Sequence, residues 1–182
     1  VSVQGIGEVG ERASGHMLEN GARLIITEAN SETRRAFEEK HKEYVAAGKL
    51  SFLDDLDAIY DVRVDIFYPC ALRDILTEQN LKRLKKAGVR MVGGPANNLF
   101  PDQVNGPWLY HEQGLPVVPY EGIGAGGVCG VAFSVMTGVY GSCPFTIEEK
   151  IKKIHDYVIK IMTWASEYDL PPQVISDCIL FS

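Results

Sequence analysis

The segment VSVQGIGEVG, Val1 to Gly10, places Gly5, Gly7 and Gly10 directly behind a short β-type run. Each glycine at that spacing has a separate use. Gly5 permits a tight turn, Gly7 lets the backbone approach a pyrophosphate, and Gly10 lets a following helix pack closely on the strand. The first N–H groups of that helix then offer hydrogen bonds and a partial positive charge to phosphate. Glu28 stands at the end of the next apolar run, Arg23 to Thr27. A carboxylate there can accept hydrogen bonds from ribose hydroxyls and repel a 2′-phosphate, which favours NAD over NADP. Arg34 and Arg35 follow and admit two readings, as solvated helix charges or as partners for that phosphate. Glycines also recur by chance in plain turns, so the order strand, glycines, helix, acid is what the dinucleotide reading requires.

The surrounding pattern supplies that order. Val1 to Gln4 reads as a strand and Glu8 to Asn20 as a helix, with Val9, Ala13, Met17 and Leu18 on one face and Gly21 as its stop. Arg23 to Thr27 is a second strand, and Asn30 and Ser31 cap a charged helix that runs to about Ala47. Ser51 to Leu53, Val64 to Tyr68, Val89 to Val92 and Leu115 to Val118 read as further strands, with a helix over Leu81 to Ala87. The strands are continuously apolar rather than alternating, as in a parallel sheet covered on both faces. The fold expected is therefore α/β, a Rossmann-type doubly wound sheet, mostly parallel, with helices on both faces. Thr146 to Glu149 forms a capping-box pattern before a long amphipathic helix ending near Tyr168, and Gln173 to Leu180 reads as a last short helix. Residues 1–145 are thus expected to form the dinucleotide-binding domain. Residues 146–182 would be C-terminal helices that pack on it or reach toward another domain. Val174, Ile175, Ile179, Leu180 and Phe181 would be poorly covered by this domain alone.

Composition narrows the classes. The chain has 182 residues, 46 % hydrophobic and 23 % charged, with a net charge of −6. An acidic balance argues against a nucleic-acid partner, which needs a basic face. No apolar run is read as approaching the roughly 20 residues of a membrane span. Cys70, Cys129, Cys143 and Cys178 form no CxxC pair, which suits reduced thiols in a cytoplasmic protein better than a disulfide framework or zinc site. His16, His41, His111 and His155 show no metal-ligand spacing, so no metal site is expected.

Four segments resemble one family. VSVQGIGEVG is similar to VxVQGxGNVG, the opening of the cofactor domain in the glutamate/leucine/phenylalanine/valine dehydrogenases. DIFYPCAL (Asp65 to Leu72) is similar to that family's D-I-x-x-P-C-A-L, and GGPANN (Gly93 to Asn98) to its G-x-A-N-N. VVPYEGIGAGGV (Val117 to Val128) resembles its Y-x-P-D-x-x-x-N-A-G-G. The resemblance implies NAD(H) held by Gly5, Ile6, Gly7, Glu8, Val9 and Gly10, with Glu28 and the adjoining Ala29 at the ribose. Cys70 and Ala71 would line the groove, Asn97 would contact the nicotinamide-side ribose, and Asn98 would lie beside it. Two alternatives remain for these positions: Cys70 can be a packed thiol, and Asn97-Asn98 can cap a turn.

The activity implied is reversible oxidative deamination of an L-amino acid, apolar or aromatic, to a 2-oxo acid and ammonia, by a homo-oligomer. That reaction needs a lysine of lowered pKa and a carboxylate, which the family carries on an N-terminal domain. Lys49, Lys82, Lys85 and Lys86 have no glycine-rich setting here. The chain is therefore expected to be the cofactor half alone, without catalytic residues of its own. The alternative is a stand-alone, non-catalytic NAD-binding or regulatory module. One departure stands out: Gly124 replaces the family's Asn, and Tyr120 its Asp. Glycine at 124 is expected to open a side chain's worth of space beside the nicotinamide and to remove a polar partner.

Overall fold

A computed structural model describes residues 1–180 of the chain. Five parallel strands form the sheet: Ser2–Gln4 (β1), Leu24–Thr27 (β2), Leu50–Phe52 (β3), Ile66–Pro69 (β4) and Met91–Val92 (β5). Their order is β3-β2-β1-β4-β5, so β1 is central and the chain reverses direction across the sheet between β1 and β4. Ligands of doubly wound sheets bind at this switch point, beyond the carboxyl ends of the strands. The glycine loop follows β1 and lies there.

Helices Glu8–Glu19 (α1), Ser31–Lys40 (α2), Lys42–Ala46 (α3), Glu78–Ala87 (α4) and Asn105–Glu112 (α5) accompany the sheet. They cover both faces. Val3, Leu24, Ile26 and Leu50 pack with Leu18 of α1 and Phe37 of α2. On the other side Phe67 and Val92 pack with Leu81 and Leu84 of α4 and Tyr110 of α5. Neighbouring residues of β4 go opposite ways: Phe67 joins the second cluster and Tyr68 the first. That is the two-residue period of a strand buried on both sides.

Three expectations are corrected. The charged helix after Asn30 is interrupted at His41, which turns its ring into the core against Phe37 and separates α2 from α3. Leu115 to Val118 makes a single parallel bridge, Val92 to Val117, beside β5. Pro116 and Pro119 bound it and have no N–H to extend a ladder. The third concerns apolar length. Tyr120–Ile123 (α6) and Ala125–Tyr140 (α7) fall in a 21-residue run containing an 18-residue stretch of mean hydropathy 1.6, long and apolar enough to cross a membrane by length and composition. Its glycines interrupt a pattern that is otherwise apolar all round, with no face to mark it.

Ile147–Tyr168 (α8) starts at the expected capping box: Thr146 Oγ1 accepts from Glu149 N at 3.2 Å, and Glu149 Oε2 accepts from Thr146 N at 2.9 Å. Pro172–Leu180 (α9) packs on it, with Ile175 buried against Ile161 and Ala165. Ile175 is therefore covered, contrary to expectation, whereas Leu180 is exposed. Phe181 lies outside the described residues.

Candidate functional site

The turn after β1 is built by close approach. Gly5 has φ +87°, a left-handed conformation that glycine adopts at no steric cost. A Cβ there would lie 2.6 Å from Cβ of Ala71. A Cβ on Gly10 would come under 3.0 Å from the Gly5 carbonyl oxygen and 3.1 Å from Cβ of Cys70. Gly5, Gly10, Cys70 and Ala71 thus form one knot joining β1, α1 and the end of β4. Gly7 differs from both. It caps α1 with ordinary extended backbone, φ −61° and ψ −168°, and a Cβ on it would meet nothing within 4 Å.

No side chain caps α1, so the N–H groups of Glu8, Val9 and Gly10 face outward at the positive end of a 12-residue helix. The Glu8 and Val9 side chains are exposed. Ile6 contributes differently from the rest of the loop. Its side chain is fully buried, and its N–H donates to Glu28 Oε2 at 2.8 Å. The other oxygen of Glu28 accepts from Asn30 N at 2.9 Å. Glu28 therefore ties the end of β2 to the glycine loop. Each oxygen retains a second lone pair, and Ala29 beside it is exposed.

Of the two arginines, Arg34 is engaged. Its Nη1 bonds Asp54 at 2.7 Å, its Nε bonds Glu38 at 3.2 Å, and its guanidinium stacks on Phe52. Arg35 is exposed.

Burial pushes the Cys70 thiol up to about 12, so it is a neutral, packed thiol and not a nucleophile. The third loop is fastened to the same strand end. Ala96 N donates to Pro69 O at 3.2 Å, and a Cβ on Gly94 would strike the Pro69 carbonyl. Asn97 and Asn98 are exposed just beyond, and neither side chain has a hydrogen-bond partner among the described residues. Asn98 sits in a left-handed turn, φ +51°, and its carbonyl accepts from Asp74 N at 2.8 Å.

Asn97 and Asn98 open onto a cavity of about 500 Å³ that is also lined by Tyr120 and Glu121 and by Gln173 and Asp177 of α9. None of the glycine-loop residues lines it. The site therefore has two parts along the strand ends, the exposed glycine loop with Glu28 and this cavity beside Asn97. Sequence reasoning named neither Gln173 nor Asp177 as a site residue. No local spacing marks them, since α9 reaches the cavity only through the packing of α8.

Gly124 corrects the expectation of added space. The Tyr120 ring already occupies the volume that a residue 124 side chain would need. Lys82 pairs with Glu78 at 2.7 Å and Lys85 donates to the Gln113 carbonyl, both on the exposed face of α4. Among the described residues no group of His, Cys, Asp and Glu could hold a metal ion.

The chain is 34 % identical to the leucine dehydrogenase of Thermoactinomyces intermedius over 97 % of its own length and 44 % of that protein's. It is 30 % identical to the phenylalanine dehydrogenase of Bacillus thermotolerans over 87 % of its length and 39 % of that protein's. Among solved structures, L-tryptophan dehydrogenase from Nostoc punctiforme superposes with a TM-score of 0.77 at 22 % identity, over 97 % of this chain and 48 % of that one. The chain thus spans less than half the length of these relatives. A family model matches residues 1–171, and on that match the chain belongs to the Glutamate/Leucine/Phenylalanine/Valine dehydrogenase family.

Proposed function

We propose that this chain is the NAD-binding part of an L-amino-acid dehydrogenase acting on an apolar or aromatic amino acid. The observation that carries the cofactor is the contrast between Gly7 and its neighbours. Gly5 and Gly10 are glycine because protein atoms crowd them, whereas Gly7 faces open space beside three outward N–H groups. That space fits a pyrophosphate. Glu28 would accept from the adenosine ribose on its remaining lone pairs, Cys70 and Ala71 would wall the groove, and Asn97 and Asn98 would meet the nicotinamide side. With Arg34 held by Asp54 and Glu38, the carboxylate of Glu28 sets the preference against a 2′-phosphate.

When bound, NAD⁺ supplies a hydride acceptor. This chain's residues bind and orient it, while residues 146–180 form the flanking helical unit. The proton chemistry falls to residues outside this chain, because its lysines lie on solvated surfaces. The relatives that act on leucine and phenylalanine support an apolar substrate, and a homo-oligomer in the cytoplasm fits the same family reading.

The test is Gly7→Val. Extended backbone at 7 accepts valine without strain, so the thermal midpoint should stay unchanged while NADH affinity, measured by calorimetry, falls at least tenfold. Unchanged affinity sinks the placement of the cofactor. The lack of a desolvated lysine favours a second reading, a binding module without catalysis. The same preparation, given NAD⁺ and amino acids, should bind but not turn over. If the complete protein also binds NADH without turning over any amino acid, the second reading replaces the first.

A further inference from the structure

Tyr120 opens α6 directly after Pro119, and its ring folds back over Gly124, one helical turn on. A Cβ built on Gly124 would lie 2.5 Å from Cε2 and 2.9 Å from Oη of Tyr120, with Cζ closer still. The ring and a residue 124 side chain therefore compete for one volume. While the ring stays in place, glycine is the residue that fits at 124. Tyr120 and Gly124 are one paired change, and the phenol hydroxyl stands close to where the first side-chain atom of a larger residue 124 would be.

Three further observations give this hydroxyl a role. Tyr120 lines the cavity that it shares with Asn97 and Asn98. Its residue is 38 % exposed, and Oη has no hydrogen-bond partner among the described residues. The adjacent polar group is already engaged: Glu121 accepts from Gln173 Nε2 at 3.3 Å, and the same nitrogen bonds Asp177 at 3.0 Å. Tyr120 is thus a free polar group on this wall, on a ring held in position over Gly124.

We propose that Tyr120 is a specificity-determining residue of this site. Its hydroxyl donates to an sp² oxygen of the bound reactant, and its ring bounds that end of the cavity. The oxygen chemistry is shared by two sources, the carboxylate of the amino acid and the carboxamide of the nicotinamide. The inference rests on the proposed function. A site built to donate a hydrogen bond discriminates far more strongly than an apolar wall does.

The experiment compares Tyr120→Phe, Gly124→Asn and the double variant Tyr120→Asp/Gly124→Asn in the complete protein. Readouts are NADH Kd, KM and kcat for leucine and phenylalanine, and the thermal midpoint as a folding control. Tyr120→Phe keeps the ring and removes only the hydroxyl. It should raise KM for the amino acid at least fivefold if the acceptor is the carboxylate, or NADH Kd by as much if it is the carboxamide. Gly124→Asn alone should lose at least tenfold in kcat/KM and lower the thermal midpoint, because the ring is displaced. Removing the ring in the double variant should recover most of both. The inference is overturned if Tyr120→Phe leaves both KM and Kd unchanged, or if Gly124→Asn is as active and as stable as the unmodified protein. Failure of the unmodified protein to bind NADH overturns the proposed function itself. Intact binding with an indifferent Tyr120→Phe overturns only this inference.

Discussion

The sheet and α7 are both strongly apolar, yet they are treated in opposite ways. Val3, Ile26, Phe67 and Val92 have no exposed surface, each lying under helices that the same 180 residues supply. On α7 no residue is buried. Val128, Val131, Val135 and Val139 are 52 to 69 % exposed along its length. Phe133 of α7 meets the ring of Phe145 in the segment that leads into α8, while Gly122 of α6 tucks beneath Val158 of α8. Hydrophobic sequence therefore states that a surface is suited to cover but not that the cover lies nearby. The energetics of the described residues should be concentrated in the sheet, since burial rather than composition stabilises.

The largest effect that checks this contrast is a pair of truncations. Phe67→Ala empties a fully buried position in the centre of one cluster and should cost about 3–5 kcal/mol in urea unfolding. Val135→Ser on α7 should stay within about 0.5 kcal/mol, as exposed substitutions do. If Val135→Ser costs as much as Phe67→Ala, then α7 is covered in solution and the contrast between the two regions fails.

A smaller effect sharpens the boundary between the sheet domain and the helices after residue 145. Thr146→Ala removes the hydroxyl that accepts from Glu149 N, leaves the Thr146 N–H to Glu149 half of the capping box in place, and should cost about 1 kcal/mol. If residues 146–180 unfold together with the sheet, the shift appears in a single transition seen by helix and by sheet-side probes alike. A loss confined to helical signal, at lower denaturant than the tryptophan and tyrosine signals of α5, separates the two units.

What was legible in the sequence follows the same division. The glycine loop could be read because its requirements are local: a turn, an opening and a close contact, each within a few residues. Glu28 could be placed because it ends a strand. That its carboxylate also holds Ile6 N–H was not readable, since the contact joins the ends of two strands separated by α1. Tyr120 and Gly124 looked like two independent departures until α6 brought them onto one helical turn. The interruption at His41 was hidden because Lys40, Lys42 and Glu43 continue a helical charge pattern through it, whereas the turn depends on where one ring is buried. The helices α5 and α7 were missed for opposite reasons. Gly106 and Pro107 look like breakers but stand in the first turn of α5, where a missing N–H costs nothing, and α7 has no polar face to set a period.

The smallest effect expected is one of pH, at the break between α2 and α3. The His41 ring lies 4.3 Å from that of Phe37 and 6.1 Å from that of Tyr44, against Gly15 of α1. Its Nε2 is buried and has no partner among the described residues. Burial lowers its pKa below the ordinary 6.5, and Lys40 acts in the same direction, opposed by Glu11, Glu19 and Glu43. The folded chain therefore holds His41 neutral while the unfolded chain regains the ordinary value. As pH falls through about 6.5 the unfolded chain takes up a proton that the folded one refuses. Stability is lost over that interval, and the loss is complete below the folded value. Urea midpoints measured from pH 7.5 down to 5.5 should fall more steeply for the unmodified chain than for His41→Leu, which has no proton to gain. The contrast with the site is direct: Gly7→Val should alter binding without altering stability, and His41→Leu should alter the pH slope of stability without altering NADH affinity. Equal slopes in the two chains would show that His41 is solvated in the native state, and that the turn between α2 and α3 is looser than the packing around Phe37 requires.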